Sequence, residues 1–121
     1  MIGIGLMSGT SADSIDAACV RLEGAPPRLD WELLSFITLP MTAELRQDIF
    51  KAFRPETGTV DHLCQLNFTL GEWFAKASLE AVKAANLTPD RVDFIGSHGQ
   101  TVWHIPPNPD QGVPSTLQLG N

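Results

Sequence analysis

The stretch MSGTSADSID, residues 7–16, gathers small, hydroxylated and acidic side chains directly behind the apolar opening MIGIGL. Phosphate oxygens are held by backbone N–H groups, by hydroxyl donors and by a main chain that can come close. Gly9 permits close approach, and Thr10 and Ser11 offer hydroxyls. Asp13 and Asp16 repel a bare phosphate. They make sense beside one only if Mg²⁺ lies between, or if they orient a water or a substrate hydroxyl. The spacing is not the Gly-x-x-x-x-Gly-Lys-Ser/Thr phosphate loop, and no lysine is near. An ordinary hairpin turn draws on the same residue types.

A second cluster, GSHGQTVWHIPP, begins at Gly96. His98, set among small residues, could donate to a sugar hydroxyl or carry a proton. Gln100 both donates and accepts, which suits a carbohydrate or an amide. The competing reading is a hairpin in which His98 caps a turn and Trp103 packs in the core. His104 reads as structural or surface, and His62 as a solvated residue of a long helix. The histidines and cysteines lack zinc-ligand spacing. Trp31, Trp73 and Trp103 are dispersed and read as core or edge packing rather than a stacking platform.

These residues need a scaffold. Residues 1–7 read as a central strand, 8–14 as a turn and 15–22 as a second strand, giving a hairpin. EGAPPR, residues 23–28, is a further turn. A third strand over 29–39 would place Trp31, Leu33 and Ser35 on one face and Glu32, Leu34 and Phe36 on the other, and Pro40 stops it. Thr42 can cap a helix with the stripe Leu45, Ile49, Phe50 and Phe53, ended by Arg54 and Pro55. A long helix over 59–86 repeats Val60, Leu63, Asn67, Leu70, Phe74, Ala77 and Ala81 at three- and four-residue steps, with Gly71 read as a close-packing point. A buried strand over 92–97, a short one over 100–105, a loop over 106–114 and a last strand over 115–119 complete the order β-β-β-α-α-β-β-β. That pattern suits a mixed α/β, ribonuclease-H-like sheet, with both clusters at strand ends that line a ligand crevice.

The 121 residues are enough for one domain with a core. At 43% hydrophobic and 18% charged residues the composition is that of a globular protein. No apolar run reaches the ~20 residues that span a bilayer, and no basic segment precedes the first apolar one, against a secretory signal. Two unrelated cysteines, Cys19 and Cys64, give no disulfide framework and fit a reducing cytoplasm. A net charge of −6 disfavours nucleic acid as a partner. A chain that stops straight after a strand reads as a fragment, a first lobe without its second.

Taken together and in this order, MSGTSADSID, GSHGQTVWHIPP and STLQLG resemble the N-terminal portion of the anhydro-N-acetylmuramic acid kinase family. The resemblance implies one ribonuclease-H-like lobe of the actin-like ATPase, sugar kinase and Hsp70 superfamily. It implies cleavage of the 1,6-anhydro ring of anhydro-N-acetylmuramic acid with phosphorylation by ATP and Mg²⁺, in bacterial cell-wall recycling, and commonly a homodimer. It places Gly9, Thr10, Ser11, Ala12, Asp13, Ser14, Ile15 and Asp16 in the ATP-binding segment, with Asp13 and Asp16 acting indirectly on the metal. It places His98, Gln100 and Thr101 near the sugar. The general base, an aspartate of a later segment in the family, has no counterpart in these residues. One departure stands out: the family reads Asp-Gly where this chain has Asp13-Ser14. A left-handed conformation at Ser14 would cost roughly 1 kcal/mol or more. The other readings are a stand-alone lobe of the same fold that binds a nucleotide or a protein without catalysis, and a superfamily member with a different acceptor.

Overall fold

A computed structural model of the chain describes residues 1–108, 110 and 112–120. The expected loop over 106–114 therefore falls in part outside the described residues. The first strand, β1 (Ile2–Ser8), and β2 (Ser14–Ala25) form an antiparallel hairpin that closes with Ser8 opposite Ile15. A turn at Pro26 and Pro27 returns the chain as β3 (Arg28–Pro40), antiparallel to β2. Two helices follow, α1 (Ala43–Ala52) and α2 (Val60–Ala84). After a 3-10 turn (Pro89–Arg91) comes β4 (Phe94–Ile105), parallel to β1, and then β5 (Ser115–Leu119), antiparallel to β4. The sheet order is β3-β2-β1-β4-β5, a mixed α/β sheet.

One face of this sheet is closed by α2, which packs across β3, β2, β1 and β5. Ile4 and Leu6 from β1 and Ile15, Ala17 and Cys19 from β2 meet Leu70, Phe74, Ala77 and Ala81 from α2, all of them buried. Alanines at the helix–sheet contact allow a close approach, and each fully buried large aliphatic contributes about 1.5–3 kcal/mol. Ser35 Oγ donates to the Ala81 carbonyl at 2.6 Å and Asn67 Oδ1 accepts from the Gly120 N–H at 2.8 Å, so α2 is tied at β3 and just past β5. Thr42 caps α1 by accepting from the Leu45 N–H at 3.3 Å, and Leu45, Ile49 and Ala52 form its buried stripe.

Several sequence expectations change. In β3 the register shifts opposite Cys19 and Val20, so that Cys19 pairs Ser35 while Val20 pairs Leu33. Leu34 is the extra residue of a bulge. It and Ser35 both lie partly buried, whereas Trp31, Leu33 and Phe36 are exposed; strict alternation is lost where the ladder slips. In α2 the first-turn Val60 is exposed, and Leu66, Ser78 and Val82 join the buried stripe; Gly71 is half-buried. The separate strands expected over 92–97 and 100–105 are one strand, and its first half is exposed, because α2 does not cover β4 there. Trp31 is 70% exposed and Trp103 is 43% exposed, so neither packs in the core. His62 is not a free surface residue: its Nε2 lies 2.9 Å from the Asp48 carbonyl and links α2 to α1.

Candidate functional site

The segment between β1 and β2 is a tight turn standing on the sheet. The Ala12 N–H donates to the Gly9 carbonyl at 3.1 Å, and the Met41 N–H donates to the Asp13 carbonyl at 2.9 Å, anchoring the turn to the end of β3. Gly9, Thr10, Ser11 and Asp13 are exposed. The Thr10 and Ser11 hydroxyls make no hydrogen bond among the described residues and are open to a ligand. Three of the expected contact residues sit differently. The side chains of Ala12 and Ile15 are fully buried in the core, so only their backbone can face a ligand. Ser14 is the first residue of β2 and carries no left-handed strain. The left-handed residue is Ala12, at φ 52°, so the cost expected at Ser14 is not incurred there.

The two carboxylates have separate partners. Asp13 Oδ1 lies 2.8 Å from the Arg46 guanidinium. Asp16 faces away from α2, where its Oδ1 accepts from the Thr38 hydroxyl at 2.7 Å. Among the described residues no group of three or more His, Cys, Asp and Glu side chains could hold a metal ion. Asp13 and Asp16 therefore form no closed protein cage for a cation with other described side chains. Arg46, stacked over Phe50 at 5.3 Å from its centroid, is a residue that sequence spacing did not single out. Its place beside the turn comes from the Asp13–Met41 bond, which brings the start of α1 to the loop. Asp13, Met41, Ala43, Arg46, Gln47 and Phe50 line an open hollow of about 450 Å³ there.

The second cluster is brought against the first, though not at a strand end. Ser8 pairs with Gln100 across β1 and β4, at a register shift where Gly99 adopts φ +70°. A side chain at Gly99 would also meet the Leu119 carbonyl at 2.7 Å, so glycine is required for β4 to bend here. The bend sends Gln100 into the interior, 0% exposed. Its Oε1 accepts from the Ser8 hydroxyl at 2.6 Å, and its Nε2 faces the Gly9 carbonyl at 3.3 Å and the Thr101 carbonyl at 3.1 Å. The expectation that Gln100 presents its amide to a sugar is corrected: the amide is consumed inside the fold. Thr101 is half-buried and its Oγ1 accepts from Gln118 Nε2 at 3.2 Å. His98 is exposed, with only a long contact of 3.4 Å from Nδ1 to the Gly99 carbonyl. Of the three residues expected near the sugar, His98 is the one left open. An apolar hollow of about 280 Å³ between the α1–α2 connection and β4–β5, lined by Arg54, Leu63, Val102 and Trp103 among others, shares no residue with the loop.

Comparison with known proteins gives the chain its relatives. The family model described as anhydro-N-acetylmuramic acid kinase matches residues 1–121. An anhydro-N-acetylmuramic acid kinase of Caldanaerobacter subterraneus subsp. tengcongensis is 52% identical over 120 residues, covering 97% of this chain and 30% of the relative. Proteins of the same name from Bacillus thuringiensis subsp. konkukian and Bacillus cereus are 44% and 45% identical, covering 97% and 96% of this chain and 31% and 30% of their own lengths. The chain thus spans about 30% of the length of the curated relatives it matches. On the full-length family match and these identities, the chain belongs to the anhydro-N-acetylmuramic acid kinase family.

Proposed function

We propose that this chain supplies the phosphate-holding lobe of an ATP-dependent sugar kinase. The kinase opens the 1,6-anhydro ring of anhydro-N-acetylmuramic acid with water and phosphorylates the freed oxygen. The sheet order, with β4 parallel to β1 at its centre, supports a ribonuclease-H-like lobe of the actin-like superfamily. The observation that carries the functional reading is the exposed turn of Gly9, Thr10 and Ser11, with free hydroxyls at the end of β1.

In this reading the Thr10 and Ser11 hydroxyls and the turn's N–H groups take the nucleotide phosphates, because aligned donors without bulk suit an anion. Mg²⁺, when bound, would offset phosphate charge, with Asp13 and Asp16 reaching it through water. Arg46 neutralises Asp13 and keeps the turn from repelling the phosphates. His98 stands open toward the sugar side. The general base that activates the attacking water comes from outside these residues, and the 121-residue chain alone is inactive. The stand-alone binding lobe finds less support, because the sheet face away from α2 leaves Trp31, Leu33, Phe36 and Met7 exposed, as expected of a surface that packs against more protein.

The test is ATP affinity in the complete kinase carrying Thr10→Val with Ser11→Ala. Both hydroxyls are exposed, so the fold stands, and ATP binding weakens about tenfold or more as two phosphate hydrogen bonds are lost. Unchanged ATP affinity would contradict the assignment of the turn to the phosphates.

A further inference from the structure

The first peptide of the turn is gripped from the interior. The Gly9 carbonyl accepts from Gln100 Nε2 at 3.3 Å and from the Ala12 N–H at 3.1 Å. The orientation of the Gln100 amide is fixed by its surroundings. The Gly9 and Thr101 carbonyls can only accept, so they require the NH₂ end, and the Ser8 hydroxyl donates to the oxygen. A trans peptide is planar, with its C=O and N–H pointing opposite ways. The only cis peptide among the described residues is Pro26–Pro27. Holding the Gly9 carbonyl inward therefore turns the Thr10 N–H outward. There it has no hydrogen-bond partner among the described residues. Glycine at position 9 gives the backbone freedom for the opposite arrangement, which would aim a carbonyl oxygen at the ligand and repel a phosphate.

We propose that Gln100 is a positioning residue for the nucleotide: it locks the Gly9–Thr10 peptide so that the Thr10 N–H faces the phosphates. The proposal rests on the reading of the turn as a phosphate holder. It assigns Gln100 to the nucleotide side of the reaction and separates it from the sugar.

The experiment uses the complete kinase with Gln100→Met, which keeps the length and removes the amide, and with Ser8→Ala, which frees the amide oxygen. Calorimetric titration with ATP and, separately, with anhydro-N-acetylmuramic acid gives both affinities. Thermal melting reports folding. A threonine-selective ¹⁵N label reports the Thr10 amide. The expected result is ATP affinity weakened about tenfold by Gln100→Met and about threefold by Ser8→Ala. Sugar affinity stays unchanged, and the large Thr10 amide shift caused by ATP in the wild type is lost in Gln100→Met. A folded Gln100→Met protein with wild-type ATP affinity would overturn the proposal. If that variant does not fold, Ser8→Ala decides, and unchanged ATP affinity there overturns it. Wild-type protein that fails to bind ATP would overturn the phosphate reading itself, and this proposal with it.

Discussion

Ala12 shows how much rests on single residues of the turn. Its left-handed backbone costs a non-glycine residue about 1–2 kcal/mol, yet its methyl is fully buried among core side chains. Glycine would relieve the strain and lose a buried methyl worth about 0.8 kcal/mol. Ala12→Gly is therefore expected to move stability by less than about 1 kcal/mol, whereas a β-branched residue keeps the strain and overfills the site, so Ala12→Val costs about 2 kcal/mol or more. Chemical denaturation of the two variants checks the ordering. Arg46 offers a charge argument. Its pair with Asp13 is exposed and contributes little to stability, about 0–1 kcal/mol. In the proposed phosphate site, removing it would leave an uncompensated carboxylate beside the ligand. Arg46→Ala should keep its melting temperature but bind ATP several-fold more weakly, with the difference shrinking in high salt. A variant with wild-type ATP affinity would show that Arg46 has no part in holding the nucleotide. That Thr10 and Ser11 stand exposed in a turn was legible from residue type alone. The role of Gln100 was not, because whether an amide faces a ligand or the interior depends on a bend one residue earlier, at Gly99. Arg46 was hidden for a different reason: its neighbour Asp13 lies far away in the chain.

Helix α2 supplies more buried residues than any other element, and its period made it readable. Leu70, Phe74, Ala77 and Ala81 recur on one face and are buried as their spacing requires. The start of α2 adds a pH dependence. The Thr59 hydroxyl, and behind it the backbone N–H groups of Asp61 and His62, hold the Asp61 carboxyl below its ordinary value. A carboxylate whose pKa is lowered by folding stabilises the folded state above its unfolded value, and that stabilisation is lost as pH falls through the folded one. Asp61→Asn should therefore lower the denaturation midpoint at neutral pH and leave it unchanged in strong acid; an equal loss at both would contradict the assignment. The strands were less legible than the helices. Alternation identifies a face only while the ladder stays in register, and both β3 at Leu34 and β4 at Gly99 depart from it. Those departures are invisible to a period-two pattern. The slip in β3 turned Phe36 outward, and β4 runs on through its bend at Gly99 as a single strand.

At the scale of the molecule, the accessible surface is 7851 Å². A compact monomer of 13.1 kDa would expose only about 6,400 Å². Helix α2 covers one face of the sheet, while Trp31, Leu33, Phe36 and Met7 stand exposed on the other. The relatives are about three times as long as this chain. The chain belongs to the anhydro-N-acetylmuramic acid kinase family, and the activity proposed for the complete kinase is ring opening with phosphorylation. The direct measurement incubates the complete kinase with ATP, Mg²⁺ and anhydro-N-acetylmuramic acid and follows the sugar by mass spectrometry. The expected product is a sugar that has gained both one water and one phosphate. A sugar left unchanged while ATP is bound, or one phosphorylated with its anhydro ring intact, would contradict it.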